Sequence, residues 1–540
     1  MKNWTFKKWN NILGWAVFGI ALITYLSTIE HKFSFWDTGE YISSAVKLEV
    51  THAPGAALFQ LVGAVAAILS FGNEAYYSLI INAMSALFSA FTILFLFWTI
   101  THLVRRILNK EMEELSSAEM ISVLFSGVIG SLAFTFSDTF WYSAVEGEVY
   151  SIASMFIALV VWLITKWENE YHDSDSQRWI ILIFFITGLS VGVHMMVMLA
   201  VPAVCFIYYA RNYKFTWKNF IIANFITLGV LAFVFKGIFP IVMRLFGKSE
   251  IFFVNSVGLP FHSGTIIAFM ILVAFCYYII RYTRKTKNNL YQTIALSVVY
   301  MIIGFSCWMM IPIRANANPP MNLNNPDTAI GMLDYYNREQ YGDWPTIYGQ
   351  NYTAHLDAHG IERNEDGGYK TIKTGDVYEK NEKTGKYDKV DERTSYVYNK
   401  DHVSFLPRMY NSDRTVMNNY VSMYGAPDFE FNYSNENIVD NPHAKKAFDE
   451  LKAKYEDGNI TAKDYLDVKS YDLIKIKKPT LAQNLHYFID FQNGYYFARY
   501  LMWNFVGRQN DLEGHMENTN GNWISGISAI DNMMLGDQDN

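Results

Sequence analysis

PGAALFQLVGAVAAILSF, residues 54–71, is apolar enough to be counted as a membrane span, and whether it crosses sets the side on which every later loop lies. Pro54 suits the first turn of a helix and Gly72 its end. Were this stretch to cross, Arg105 and Arg106 would face outward and each later basic loop would invert with them. Cytoplasmic loops are enriched in Lys and Arg, so the parity of the chain places residues 54–71 as a helix lying at, or dipping into, the outer interface. Residues 30–76 then form one long outer segment.

Outward from that stretch, apolar runs long enough to cross about 30 Å of hydrocarbon recur through the first 313 residues. We expect nine spans, at 12–29, 77–104, 120–137, 149–167, 179–193, 194–210, 220–243, 264–280 and 291–313. The inside loops then hold Lys2, Lys7 and Lys8, next Arg105, Arg106 and Lys110, then Lys166 and Arg178, then Arg211, Lys214 and Lys218, and finally Arg281, Arg284, Lys285 and Lys287. The first run lacks a small-x-small cleavage site and reads as an uncleaved anchor. The expected class is an α-helical polytopic membrane protein followed by an extracytoplasmic α+β region. In that region, 369–399 suggests hairpins around Gly375 and the 383–386 turn, while 443–457 and 481–505 read as helices.

Composition agrees: 51% of the 540 residues are hydrophobic and 16% aromatic, too apolar for an average soluble chain. The net charge of −7 is spread thinly, which excludes a nucleic-acid footprint. Cys205, Cys276 and Cys307 lie in apolar runs without metal-ligand spacing, so neither disulfide stapling nor redox chemistry is expected.

The chemistry-bearing residues gather in the outer loops. Phe35-Trp36-Asp37-Thr38-Gly39-Glu40-Tyr41 puts two carboxylates three positions apart, on one face if helical, and such a pair suits a general base with a supporting partner. A helix start whose acids merely complement the dipole is an equally good account of that spacing. Glu146 and Glu148, at the edge of the fourth run, are costly there unless paired, solvated or bound to a ligand, and Glu146 and Tyr150 are one helical turn apart. His194 follows the Gly192 turn. Arg314 closes the last run at headgroup depth, where its planar fork suits phosphate oxygens and where snorkelling to ordinary headgroups explains it as well.

Trp36-Asp37-Thr38-Gly39-Glu40, His52-Ala53-Pro54-Gly55, Glu146-Gly147-Glu148-Val149-Tyr150, Asn318-Pro319-Pro320-Met321-Asn322 and the run Asn337-Arg338-Glu339-Gln340-Tyr341-Gly342-Asp343-Trp344-Pro345 occur in this order. In that order the chain resembles the GT-C membrane glycosyltransferases, and within them a family, long labelled as of unknown function, that groups with protein O-mannosyltransferases. Ala53 departs from the second proline usual at that position. The resemblance implies a GT-C-like transmembrane domain over 1–313 with its catalytic loop at 30–76, then an extracytoplasmic region over 314–540, followed by further spans in a longer protein. It implies transfer of a sugar, a hexose such as mannose, from a polyprenyl-phosphate donor to a Ser or Thr hydroxyl of an exported protein, with inversion. Asp37 would be the base with Glu40 beside it, Arg314 and His194 would meet the departing phosphate, and Glu40, His52, Glu146 and Glu148 would line the sugar site. Tyr150, Asn318 and Asn322 complete the expected substrate-binding set. No metal ligands and no certain cofactor are assigned, although a divalent cation stays open. The expected setting is the bacterial inner membrane or its equivalent, with a cytoplasmic N-terminus and the site outside. A lipid or solute transporter is the main rival, and a membrane-anchored scaffold the second.

Overall fold

The computed structural model describes residues 2–537 apart from 174, 343, 344, 346, 406–413, 415, 416, 419, 422–425, 433, 434, 436–439 and 513–516; the side chains of residues 2–5 are also left aside. Asp343 and Trp344 of the 337–345 motif therefore lie outside the described residues.

Eight described helices are long and apolar enough to cross a membrane: Phe6–Ser27, Glu74–Ile107, Ser117–Thr135, Val149–Asn169, Met195–Asn212, Trp217–Ser256, Ser263–Thr286 and Asn289–Ala315. The run expected at 179–193 is the shorter apolar helix Gln177–Ser190. Helix Ser263–Thr286 has only 11% of its most apolar window buried, and Ile266, Phe269 and Met270 are more than half exposed. A continuous apolar surface of that kind needs lipid around it. The architecture is that of an integral membrane protein.

Within the bundle, helices are labelled in chain order: α1 (Lys2–Ser27), α2 (Thr38–Lys47), α3 (Ala57–Ala67), α4 (Tyr77–Ile107), α5 (Ser117–Thr135), α6 (Asp138–Ala144), α7 (Val149–Asn169), α8 (Gln177–Ser190), α9 (Val201–Asn212), α10 (Trp217–Ala232), α11 (Phe239–Ile251), α12 (Ser263–Thr286), α13 (Asn289–Phe305), α14 (Met310–Ala315) and α15 (Ala329–Asn337). Small residues let α8 and α13 pack backbone to backbone: a Cβ on Gly188 would lie 2.0 Å from the Met301 carbonyl oxygen, and one on Gly304 would lie 2.3 Å from that of Phe185. α10 and α11 are joined through a π segment, Phe233–Ile238, into one helix that runs on to Ser256. Its 40 residues correspond to about 60 Å, roughly twice the hydrocarbon thickness.

The 54–71 stretch is α3 followed by the turn Ile68–Ser70, together roughly 20 Å of helix and too short to span. Its first turn is built into the bundle, where the Leu58 and Phe59 amides donate to the Gly192 carbonyl at 2.6 and 3.3 Å. Its far end shows Val65, Ile68, Leu69 and Phe71 at the surface, as an interfacial helix would.

The chain divides into two compact units, Met1–Tyr341 with Lys380–Tyr387, and Gly342–Glu379 with Asp388–Asn540. The second unit has its own core, centred on Tyr352, Leu451, Tyr465 and Tyr487. The small strands of residues 342–540 pair two by two, among them the expected hairpin Thr371–Asn381 with Lys386–Tyr396, whose turn at Gly385, φ 67°, falls in the 380–387 stretch counted with the first unit. The helix expected at 443–457 is Pro442–Glu456, and the one at 481–505 is Leu481–Tyr487 continued through a π segment to Trp503.

Candidate functional site

At the end of the bundle where α1 finishes and α7 begins, the chain after α1 is tied down by backbone and amide bonds. Glu30 N–H donates to the Val145 carbonyl at 3.2 Å, and the Asn82 amide of α4 donates to the carbonyls of Glu30 and Lys32 at 2.6 and 2.9 Å. Trp36 then takes a left-handed φ of 64°, a strained conformation for a bulky residue, immediately before Asp37.

α2 starts at Thr38 with Asp37 at its N-cap, yet the Asp37 side chain makes no capping bond and is exposed. No backbone amide of α2 is capped by this carboxylate. One turn on, Glu40 is taken: its Oε1 accepts the His52 backbone N–H at 2.7 Å, and both its oxygens lie 3.1 Å from His52 Nδ1. Burial works to raise the Glu40 pKa, but the bonds from the His52 ring and backbone outweigh it and the net direction is down. His52 moves up in turn, chiefly through its bond to Glu40. Each group thus favours the charged form of the other. Tyr41, buried on the same helix, packs its ring against those of His52 and Phe59 at 5.7 and 5.5 Å.

Glu146 and Glu148 face this wall from the loop before α7. Ser34 donates its hydroxyl proton to Glu146, and Thr38 donates to Glu148 at 3.4 Å. Burial raises both acids; for Glu148, the nearby charges of Glu146 and Asp37 add to burial and push it up to about 7. The expected helical turn between Glu146 and Tyr150 is not formed, because α7 begins only at Val149 with Glu148 as its N-cap. Tyr150 instead meets His194, ring centres 5.5 Å apart. His194 Nδ1 accepts the Met196 N–H at 3.1 Å, which leaves Nε2 to carry the proton. Burial, and then the charge of Arg338, lower its pKa.

Asp37, Glu40 and His52 each offer one donor atom, all within 4.8 Å of one another. Two carboxylate oxygens and an imidazole nitrogen are a plausible donor set for a divalent ion, but one would have to displace the His52 ring from Glu40.

Other expected residues lie elsewhere. Arg314 donates through Nε to the Leu48 carbonyl at 2.5 Å and through Nη2 to that of Lys47 at 3.2 Å, so it caps the C-terminus of α2. Asn318 is exposed in a left-handed turn, φ 48°. Asn322 pairs with Val50 as an isolated bridge and spends its amide on the Ala315 carbonyl and Asn325 at 3.2 and 2.7 Å. The residues that sequence reasoning passed over are Ser34 and Thr38, which hold the two glutamates, and Tyr335 of α15, whose hydroxyl donates to the Thr51 carbonyl. Ser34 and Thr38 lie within or beside a motif already singled out; nothing local marks Tyr335.

Residues 37–217 match the family described as the Protein O-mannosyl-transferase TMEM260 N-terminal domain, and residues 342–489 match a family of unknown function, DUF8416. The protein O-mannosyl-transferase TMEM260 of Mus musculus is 28% identical over 176 residues, 32% of this chain and 22% of that protein. Its namesake in Dictyostelium discoideum is 23% identical over 214 residues, 38% of this chain and 24% of that protein. The matched stretch thus spans less than a quarter of either relative's length. No solved structure matches. The resemblance to the family that groups with protein O-mannosyltransferases is borne out over the first part of the membrane unit, which includes Asp37, Glu40, His52, Glu146 and Glu148.

Proposed function

We propose that this chain is a glycosyltransferase that moves a hexose, mannose by analogy with its relatives' names, from a polyprenyl-phosphate donor to a Ser or Thr hydroxyl of an exported protein. The reading rests above all on one observation: Asp37, free of any capping bond, stands beside a Glu40–His52 pair with donor atoms within 4.8 Å. Asp37 accepts the proton of the acceptor hydroxyl as its oxygen attacks the anomeric carbon from the side opposite the phosphate. The bond from that carbon to the phosphate oxygen breaks, the polyprenyl phosphate leaves, and the anomeric centre inverts. Glu40 and His52 hold each other and the wall of the sugar site. Glu148, neutral over part of the physiological range, donates a hydrogen bond to a sugar hydroxyl without adding charge beside Asp37. His194 offers its Nε2 proton to the phosphate, and Arg314, by fixing the end of α2, keeps Asp37 in place from ten residues away. The site faces the outside of the cell if the basic loops are cytoplasmic.

A lipid or solute transporter is the competing function. Transporter sites lie near the membrane midplane, where unwound helices meet. The carboxylates here cluster at one end of the bundle, which favours an enzyme. The test incubates the reconstituted protein with polyprenyl-phosphate hexoses and a Ser/Thr peptide and looks for peptide gaining one hexose by mass. Transport of donor or solute without any glycopeptide would replace the enzyme reading with its rival.

A further inference from the structure

The wall around Asp37 is built from Asp37, Glu40, Glu146 and Glu148, with Glu30 close enough to act on Glu146. An anionic donor approaching four or five carboxyl groups is repelled unless a cation meets it. Arg314 is engaged with the carbonyls of Leu48 and Lys47, and Lys47 lies two helical turns along α2 from Glu40, where it lines a separate cleft of about 380 Å3 with Phe33 and Glu74.

We infer that Arg338 is the side chain that receives the donor's phosphate, presented beside His52 by α15, whose Tyr335 hydroxyl is bonded to the carbonyls of Thr51 and His52. The inference rests on the glycosyl-transfer reading above. Arg338 ends α15 with a left-handed φ of 59°, and its amide closes the helix on the carbonyls of Asp334 and Tyr335. Tyr335 is a single turn earlier, so the anchor on the His52 segment fixes where Arg338 emerges. α15 is itself held from behind by α11, where a Cβ on Gly247 would already crowd Leu333 at 3.1 Å. The guanidinium is exposed, lies 4.7 Å over the Tyr341 ring and has no carboxylate partner among the described residues. Its charge reaches both imidazoles of the site, opposing protonation of His52 and of His194. A cation whose charge reaches both site histidines, stacked on an aromatic ring and without a carboxylate partner among the described residues, has the planar fork that a phosphate ester needs.

The full chain in lipid nanodiscs is titrated with a polyprenyl monophosphate and with the matching uncharged polyprenol. Wild type is expected to prefer the phosphate, Arg338→Gln to lose at least about tenfold of that preference, and Arg338→Lys to keep an intermediate part because charge survives without the fork. Arg178→Gln, which removes a surface pair with Glu170, is expected to leave the preference intact. Wild type without preference would overturn the donor reading and this inference together. Wild-type preference retained within twofold in Arg338→Gln would overturn Arg338 alone. Competition by a soluble hexose 1-phosphate as strong as that of the lipid would overturn a lipid as the source of the phosphate.

Discussion

The bundle holds a histidine–glutamate pair at each end, and their surroundings differ in charge balance. At one end His102 of α4 meets Glu168 of α7 at 2.7 Å, Arg106 reaches the same glutamate at 2.8 Å, and Arg105 binds Glu111 and Asn169 at 2.9 and 2.7 Å. About 30 Å along α4, beyond Asn82, His52 meets Glu40 at 3.1 Å among further carboxylates that, among the described residues, have no such set of arginines paired to them. The first network is matched cation to anion and ties α4 to α7. The second leaves like charges close together, an arrangement that costs folding energy and is met where a ligand completes it. Charge balance, more than the His–Glu pair itself, separates a fastening from a site.

The sharpest way to break that contrast is Asp37→Asn. Single-turnover hexose transfer is expected to fall about a thousandfold with the thermal unfolding curve unchanged; normal transfer would remove Asp37 as the base. Glu40→Gln loosens His52 and is expected to lower transfer roughly ten- to a hundredfold. The mirror substitution, Glu168→Gln, should leave transfer within about threefold but cost about 1–3 kcal/mol of stability by taking a half-buried charged partner from His102 and Arg106. Loss of transfer in Glu168→Gln, with stability kept, would erase the distinction between the two ends.

The smallest effect is one of pH. Glu148 is raised from its ordinary value of 4.5 to about 7, so the folded protein holds a proton that the unfolded chain has already lost. Its stabilising contribution is therefore greatest below pH 4.5 and declines as pH rises towards 7. Above that value a new negative charge joins Asp37, and donor affinity is expected to drop a few-fold. Glu148→Gln, fixed in the neutral state, should flatten this limb; an unchanged profile would move the titration to another group.

Much of the bundle was legible because span length and loop charge are local properties. The 54–71 helix, the hairpin turned at Gly385 and the start of α2 follow from runs, glycines and spacing within a few residues. Asp37, Glu40 and His52 were legible together since they lie within one short outer segment. Tyr335 was not: its partner Thr51 lies 284 positions away, and no pattern near either residue announces the bond. Arg314 shows the same limit of local pattern. A basic residue at a helix end looks alike whether it caps a neighbouring helix or meets a lipid, and its bonds to the carbonyls of Lys47 and Leu48 come from a segment about 266 positions away. Glu146 and Tyr150 do not share the helical turn that their spacing suggested, because the helix starts only at Val149 with Glu148 as its N-cap.

The helix Trp217–Ser256 has a length roughly twice the thickness of the hydrocarbon layer, and its later portion, α11, carries α15. Because α15 is seated on α11, a shift of that long helix along its own axis would carry Arg338 with it and leave the geometry within α15 alone.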